Sequence, residues 1–379
     1  MSGAPRRLVV LNERDLLHPQ AGGAEVHCFE VFRRLAARGD DVTLLASRFA
    51  GAAPRETVQG ITVVRVGERI SYYPAALRAY RRLRAAARID AVVEDLNKFP
   101  FFARLWVREP VVVLVHHLFG RTAFRQVAWP IAAATFAAEA LVPRLYRGLP
   151  VVAVSPSTRD ELVAGGMRAA DIHVIPNGLD HDLYRPGDGR RASAPTVVAL
   201  GRVEPYKRTE VLVDAVADIA GARLVVAGSG TGMDALRAHV ERRGLASRVE
   251  ILGFVDEATK VRLLREAHVV ATASQKEGWG LTVVEAAACG TPAVAFDVPG
   301  LRDAIRDGET GVLVPGDDPA ALAGAIRRVL EDPALRERLG AGAIAWAARF
   351  TWERAADEIG ALIDVAIAAR RDGRRGKSS

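Results

Sequence analysis

Two glutamates eight positions apart, Glu277 and Glu285, stand in the stretch SQKEGWGLTVVEAAACGTPAVA from Ser274 to Ala295. Glu277 opens the turn Gly278-Trp279-Gly280, and Leu281 to Cys289 reads as a short apolar helix that carries Glu285. Gly290 is a helix stop, Pro292 follows it, and Ala293 to Phe296 has the uninterrupted apolar character of a strand buried in a parallel sheet. The first turn of such a helix carries backbone N–H groups without intrahelical partners, which makes it an anion site. A diphosphate at the helix end, with carboxylates on either side accepting sugar hydroxyls, is the chemistry this spacing permits.

Two cations sit on a comparable strand-to-helix loop upstream. Thr196 to Leu200 reads as a strand, Gly201-Arg202-Val203-Glu204-Pro205-Tyr206-Lys207 as the loop, and Val211, Leu212, Ala215, Val216 and Ile219 as the apolar face of the next helix. Arg202 offers a planar fork of donors and Lys207 a mobile point charge. His116 directly follows the strand Val111 to Val115, at the carboxyl end where α/β folds bind ligands. His117 takes that place if the strand runs one residue longer.

These residues need an α/β frame, and the chain reads as one. Leu8 to Leu11, a loop holding Gly22-Gly23, a helix from Ala24 to Arg38 and a strand from Val42 to Ala46 make a βαβ unit. Further strands are expected at 61–66, 91–94, 151–154, 172–175, 224–227, 249–252 and 268–272, with helices between most of them. The segment 311–315 reads as a turn, 320–330 as a helix, and 352–370 as a final helix. Gly228 to Gly232 resembles a dinucleotide fingerprint but fails it, since the third glycine falls at 232 and Met233 follows. It reads instead as a loop bordering a nucleotide, with Gly253-Phe254-Val255 walling the base.

Glu277-x7-Glu285 inside EGWGLTVVEAAACGTP, together with strand–Gly201-Arg202–x4–Lys207–helix and the turn GGAE at Gly22, resembles the retaining glycosyltransferases of family 4. The resemblance covers nearly the whole chain. It implies the GT-B fold, two Rossmann-like domains facing a cleft, and transfer of a sugar from a nucleotide diphosphate donor to an acceptor hydroxyl of a glycan, lipid or small molecule. By the same resemblance, Arg202, Lys207 and the N–H groups of Gly280, Leu281 and Thr282 hold the diphosphate. Glu285 takes the ribose hydroxyls, Glu277 the sugar hydroxyls and the cationic anomeric carbon, and His116 with Gly22-Gly23 the sugar from the first domain. Gly228 and Val255 border the nucleotide. No cofactor and no metal is expected. Asp180-His181-Asp182, the only D-x-D of this kind, follows a linker turn rather than a nucleotide-binding strand. Three rivals share parts of the pattern: a nucleotide-sugar epimerase of the same fold, a dehydrogenase, and a non-catalytic sugar-nucleotide sensor.

The 379 residues allow two domains, 1–183 and 184–351, and a basic tail 371–379 without fixed structure; the resemblance implies that the helix 352–370 packs back on the first domain. Half the residues are hydrophobic and 26% are charged, as in a globular protein. The net charge of +7 favours anionic partners, and nucleic acid is not among those expected. Cys28 and Cys289 are too few for a disulfide framework or a zinc cluster and read as buried thiols. The N-terminal apolar run is too short for a signal peptide, and no apolar stretch reaches a membrane span; 127–142 is broken by Pro130 and Glu139. A cytoplasmic protein is expected, peripheral on a membrane through the basic segment Arg65 to Arg88, which holds seven arginines against one glutamate.

Overall fold

The computed structural model describes residues 5–96, 99–120, 124 and 128–375. The chain divides into two units, Met1–Gly178 with Trp352–Ser379, and Leu179–Thr351. Among the described residues, no helix is long and apolar enough to cross a membrane.

Unit 1 is built on β1 (Arg7–Leu11), β2 (Asp41–Ala46), β3 (Arg55–Val58), β4 (Ile61–Arg65), β5 (Ala91–Leu96), β6 (Val111–Val115), β7 (Val151–Ala153) and β8 (Ile172–Val174). Their order is β3-β4-β2-β1-β5-β6-β7-β8, parallel except for the β3–β4 hairpin. Helices α1 (Gly23–Ala37), α2 (Tyr72–Ala86), α3 (Trp129–Leu145) and α4 (Pro156–Ala164) connect them. The strands are apolar along both faces because both are covered. One face packs Phe29, Phe32 and Leu35 of α1, and the other packs Tyr72, Ala76 and Tyr80 of α2.

Unit 2 repeats the plan with β9 (Thr196–Leu200), β10 (Arg223–Ala227), β11 (Val249–Gly253), β12 (Val269–Thr272), β13 (Ala293–Phe296) and β14 (Gly311–Val314), all parallel in the order β11-β10-β9-β12-β13-β14. Between and after them come α5 (Thr209–Ala217), α6 (Met233–Arg242), α7 (Glu257–Glu266), α8 (Leu281–Ala288), α9 (Leu301–Ala304), α10 (Pro319–Glu331) and α11 (Pro333–Ala347).

The last helix, α12 (Trp352–Arg375), belongs to unit 1. Trp352, Ala356, Ile359 and Ile363 enter the same core as α1. Arg6 donates to the Gly360 carbonyl at 2.8 Å, and Arg34 and Arg38 pair with Glu353 and Asp357. The helix runs to Arg375, so residues 371–375 of the expected tail are helical, and residues 376–379 lie outside the described ones.

Two expectations need correction. The segment from Gly311 is a strand, not a turn: its GVLV pairs with β13, and Gly311 is required because a Cβ there would lie 2.3 Å from the Ala293 carbonyl oxygen. Arg65 is not part of a basic surface. Its side chain is fully buried and paired with Asp15 at 2.6 Å and with Glu56. Arg84 is exposed but tied to Glu109 at 2.9 Å, which leaves Arg78, Arg81 and Arg82 as the open cations of α2. Of the stretch 127–142, Val127 lies outside the described residues; the rest begins α3, where the buried Glu139 accepts from the backbone of Phe119 and Gly120.

Candidate functional site

Strand order reverses between β9 and β12, which are hydrogen-bonded neighbours. Loops leaving the carboxyl ends of such neighbours diverge and leave a crevice. The loop after β9 carries Arg202 and Lys207, and the loop after β12 carries Glu277 and the start of α8. This is why residues 70 positions apart meet: Lys207 Nζ is 2.6 Å from Glu277 Oε1. Gln275 N donates to the Tyr206 carbonyl at 3.0 Å and fastens one loop to the other. Ser274 Oγ donates to the same Glu277 oxygen at 2.8 Å. Burial pulls the Lys207 pKa down, but the Glu277 carboxylate outweighs it and the net direction is up. Arg202 acts on Lys207 in the opposite sense, so the two cations lie within electrostatic reach of each other. Arg202 itself is exposed.

Gly280 is the N-cap of α8, in the left-handed region at φ 79°, and no side chain caps the helix there. Glycine is the residue that adopts this φ without strain. The turn therefore presents the N–H groups of Leu281 and Thr282 at a helix N-terminus that no side chain fills. Trp279, just before it, is buried edge-on against Phe350 with ring centroids 5.0 Å apart, which fixes the turn.

Glu285 sits one turn into α8 and is only 4% exposed. Its Oε1 is 2.8 Å from Lys260 Nζ on α7, and its Oε2 is buried without a hydrogen-bond partner. Burial raises its pKa, with Lys260 opposing. The cluster also holds Glu257, which is 3.5 Å from Lys260 and accepts from the Tyr184 hydroxyl.

Gly228 has a structural duty: a Cβ there would lie 1.8 Å from the Gly201 carbonyl oxygen, and its N–H donates to the Gly253 carbonyl at 2.7 Å. The glycine lets the loops after β9, β10 and β11 pack together. Val255, half-buried, precedes Asp256, whose side chain caps α7 through the Thr259 N–H at 2.8 Å. Phe254 beside it is 83% exposed.

In unit 1 the order reverses between β1 and β5. Asn12 after β1 donates to Asp95 on β5 at 2.8 Å, and the other Asp95 oxygen is 2.7 Å from His116 Nε2. His116 is 5% exposed and stacks edge-on against His27 of α1, ring centroids 5.0 Å apart. The Thr158 hydroxyl holds the His116 carbonyl at 3.3 Å. His117 instead stacks on Phe119. Gly22 has extended φ of −148°, and its N–H donates to Glu25 Oε2 at 2.7 Å. That carboxylate fills the first turn of α1, where Gly23 begins the helix, so this N-terminus already holds an anion.

Asp180 Oδ1 accepts from the N–H groups of Asp182 and Leu183 at 3.0 and 3.2 Å, and His181 donates to the Phe350 carbonyl at 2.9 Å. The D-x-D is a turn that starts unit 2. Among the described residues, no group of three or more His, Cys, Asp or Glu is placed to hold a metal ion. Both cysteines are buried and free.

Sequence models match in two adjoining blocks, the Glycosyltransferase Family 4 model over residues 21–183 and the Glycosyl transferases group 1 model over 180–346. The D-inositol 3-phosphate glycosyltransferase of Mycobacterium avium is 32% identical, with 98% of this chain and 97% of that protein covered. This chain belongs to the family 4, group 1 glycosyltransferases. The corresponding enzyme of Acidothermus cellulolyticus is 31% identical over 93% of this chain and 87% of its own. Sucrose-phosphate synthase from Thermosynechococcus elongatus superposes with a TM-score of 0.85 at 25% identity, covering 96% of this chain and all of that one. Anabaena HepE in complex with UDP-glucose shares the fold at a TM-score of 0.77 and 20% identity, over 95% of this chain and 99% of that one. The chain is a glycosyltransferase of the GT-B fold.

Sequence reasoning missed Lys260, Glu257 and Tyr184 around Glu285, Ser274 beside Glu277, and Asp95 and His27 around His116. Only Asp95 had a signal: with Glu94 it makes two adjacent carboxylates at the end of an apolar strand run. The others are joined by packing between separate elements, which no local spacing reports.

Proposed function

We propose that the protein is a retaining glycosyltransferase that binds a nucleotide diphosphate-sugar in unit 2 and transfers the sugar to an acceptor hydroxyl. The observation that carries this reading is the convergence of Arg202, the Lys207–Glu277 pair and the uncapped α8 N-terminus at the β9/β12 reversal. Cation, helix dipole and free N–H groups all favour negative charge there, which is what a departing diphosphate develops. Glu277, held by Lys207 and Ser274, accepts hydroxyls of the transferred sugar, and Glu285 accepts those of the ribose. In unit 1, His116 and Gly22-Gly23 are assigned to the sugar. Asp95 orients His116 by taking its Nε2, which leaves Nδ1 as the ring atom for a ligand. The leaving phosphate takes the acceptor proton on the face it departs from, so no protein general base is assigned.

Relatives named for inositol 3-phosphate make a phosphorylated polyol the first acceptor to test. The open arginines Arg78, Arg81 and Arg82 support contact with an anionic membrane surface. Cosedimentation with anionic vesicles that is unchanged when these three become Ser argues against that contact.

A panel of nucleotide diphosphate-sugars, scored by nucleoside diphosphate released with acceptor present, tests the main reading. One donor should stand out, and the product should keep the donor's anomeric configuration by NMR. Isomerised donor without acceptor would make the protein an epimerase, and an inverted product would overturn retention.

A further inference from the structure

We propose that Lys260 is a positioning residue for the donor nucleoside: it pins Glu285 through Oε1 and leaves Oε2 to accept the ribose hydroxyls. This rests on the assignment of a nucleotide diphosphate-sugar to unit 2. Glu285 projects from α8 one turn behind the anion site, and a carboxylate so placed faces two problems. It is buried at 4% exposure, which favours the neutral acid, and only the ionised form is an acceptor at both oxygens. Lys260 answers both. Its ammonium lies 2.8 Å from Oε1, supplies the counter-charge, and is itself held by Glu257 at 3.5 Å and by the Tyr184 ring at 5.2 Å from its centroid.

The arrangement leaves one atom unserved. Tyr184 has a single hydroxyl proton, and it is donated to Glu257, so Glu285 Oε2 is buried with no donor. An unserved buried carboxylate oxygen is unfavourable, and a ligand hydroxyl that reaches it restores the missing bond. A vicinal diol supplies two such hydroxyls side by side. The ring of constraints explains how α8 keeps a charge in an otherwise alanine-rich, buried helix: Val283, Val284, Ala286, Ala287 and Ala288 are all buried around Glu285. Lys260, Glu257 and Tyr184 are the titratable groups facing Glu285, with the buried Cys289 thiol beyond it on the same element.

The test is calorimetric binding of nucleoside diphosphates to the full chain, each base offered as ribose, 2′-deoxy and 3′-deoxy forms, for wild type, Lys260→Met and Lys260→Arg. Wild type should prefer ribose by roughly 10-fold, the worth of a charge-assisted hydrogen bond. Lys260→Met should weaken ribose binding by a similar factor and erase the preference over the deoxy forms. Its remaining affinity should also fall as pH is lowered from about 8 to about 5, because an unpaired buried carboxylate protonates first. Lys260→Arg should restore part of both. A folded Lys260→Met protein that keeps the wild-type ribose preference overturns the inference while leaving the donor assignment intact. A Lys260→Met chain that does not fold passes the test to Lys260→Gln, which removes the counter-charge but keeps a polar side chain, and an unaltered ribose preference and pH profile there overturns the inference equally. Wild type that binds no nucleoside diphosphate overturns the donor assignment, and the inference with it.

Discussion

Lys207 Nζ lies 2.6 Å from Glu277 Oε1, so the cation assigned to the diphosphate and the carboxylate assigned to the sugar neutralise each other before any donor binds. Both side chains are mostly buried, at 18% and 17% exposure. Removing either leaves the other's charge partly desolvated and unpaired, which is costlier than losing an exposed pair.

The pair should therefore behave as a unit. Lys207→Ala and Glu277→Ala are each expected to lower kcat/KM by roughly 10-fold or more, since bonds to charged groups contribute about 1.5–3 kcal/mol. The double variant should lose less than the sum, with a coupling of about 0.5–3 kcal/mol. Arg202→Ala should also lower kcat/KM, but more nearly additively with Glu277→Ala, because among the described residues the Glu277 carboxylate is held by Lys207 and Ser274 and not by Arg202. Steady-state kinetics on the three single and two double variants decide this, and strict additivity of Lys207→Ala with Glu277→Ala would contradict the pair's role.

The two glutamates should separate kinetically. Glu277 is placed against the group being transferred, so Glu277→Ala should act mainly on kcat. Glu285 is placed against the ribose, away from the bond that breaks, so Glu285→Ala should act mainly on donor KM. Initial rates over a donor range measure both parameters, and the opposite ranking would exchange the two assignments.

How much of this was legible depends on whether a feature is local. The Glu277–Glu285 stretch was readable because its turn, helix, stop and strand follow one another without a break. The apolar strands were readable as uninterrupted runs in a sheet covered on both faces. The hairpin strand β3 was not, since RETV has no apolar alternation and sits at the sheet edge with none of its residues buried. Strand β14 was masked by Gly311, Pro315 and Gly316, turn residues that here bracket only four strand positions. Helix α11 was passed over as well, although Asp332-Pro333 at its start is a helix-opening signal and the Asp332 side chain accepts from Leu335 N–H at 2.9 Å. Arg65 looked like surface charge because its partners, Asp15 and Glu56, come from other elements. The Lys260–Glu285 contact joins two helices 25 positions apart and has no linear signature.

His27 should make unit 1 acid-sensitive. It is fully buried on α1 against His116 and Trp352, and neither ring nitrogen has a hydrogen-bond partner. Burial first, then the neighbouring His116, holds its pKa well below the usual 6.5. The unfolded chain takes up a proton near pH 6.5 and the folded chain does not. Stability contributed by the neutral ring is thus complete above about pH 6.5 and is lost as pH falls toward the depressed folded value, at up to about 1.4 kcal/mol per pH unit. His27→Leu removes both unsatisfied nitrogens and the titration together. Urea midpoints measured from about pH 7.5 to about pH 4.5 should fall less steeply in the variant than in wild type. Parallel curves would show that His27 does not contribute to the acid limb.

Transfer should proceed without a divalent metal. A departing nucleoside diphosphate carries about two negative charges that must be stabilised, and a D-x-D enzyme answers this with a bound cation. Here Arg202, Lys207 and the uncapped N-terminus of α8 supply positive potential from the chain itself. Asp180 is committed elsewhere: its Oδ1 accepts the N–H groups of Asp182 and Leu183 and shapes the turn that opens unit 2. Asp180→Asn with Asp182→Asn should accordingly leave that turn in place, since the amide oxygen still accepts both N–H groups, and leave turnover at the wild-type level. Both wild type and the double variant should keep their rates in excess chelator. Loss of transfer on chelation, restored by manganese or magnesium and absent from the double variant, would assign the charge balance to a metal at Asp180 and Asp182 instead of to Arg202 and Lys207.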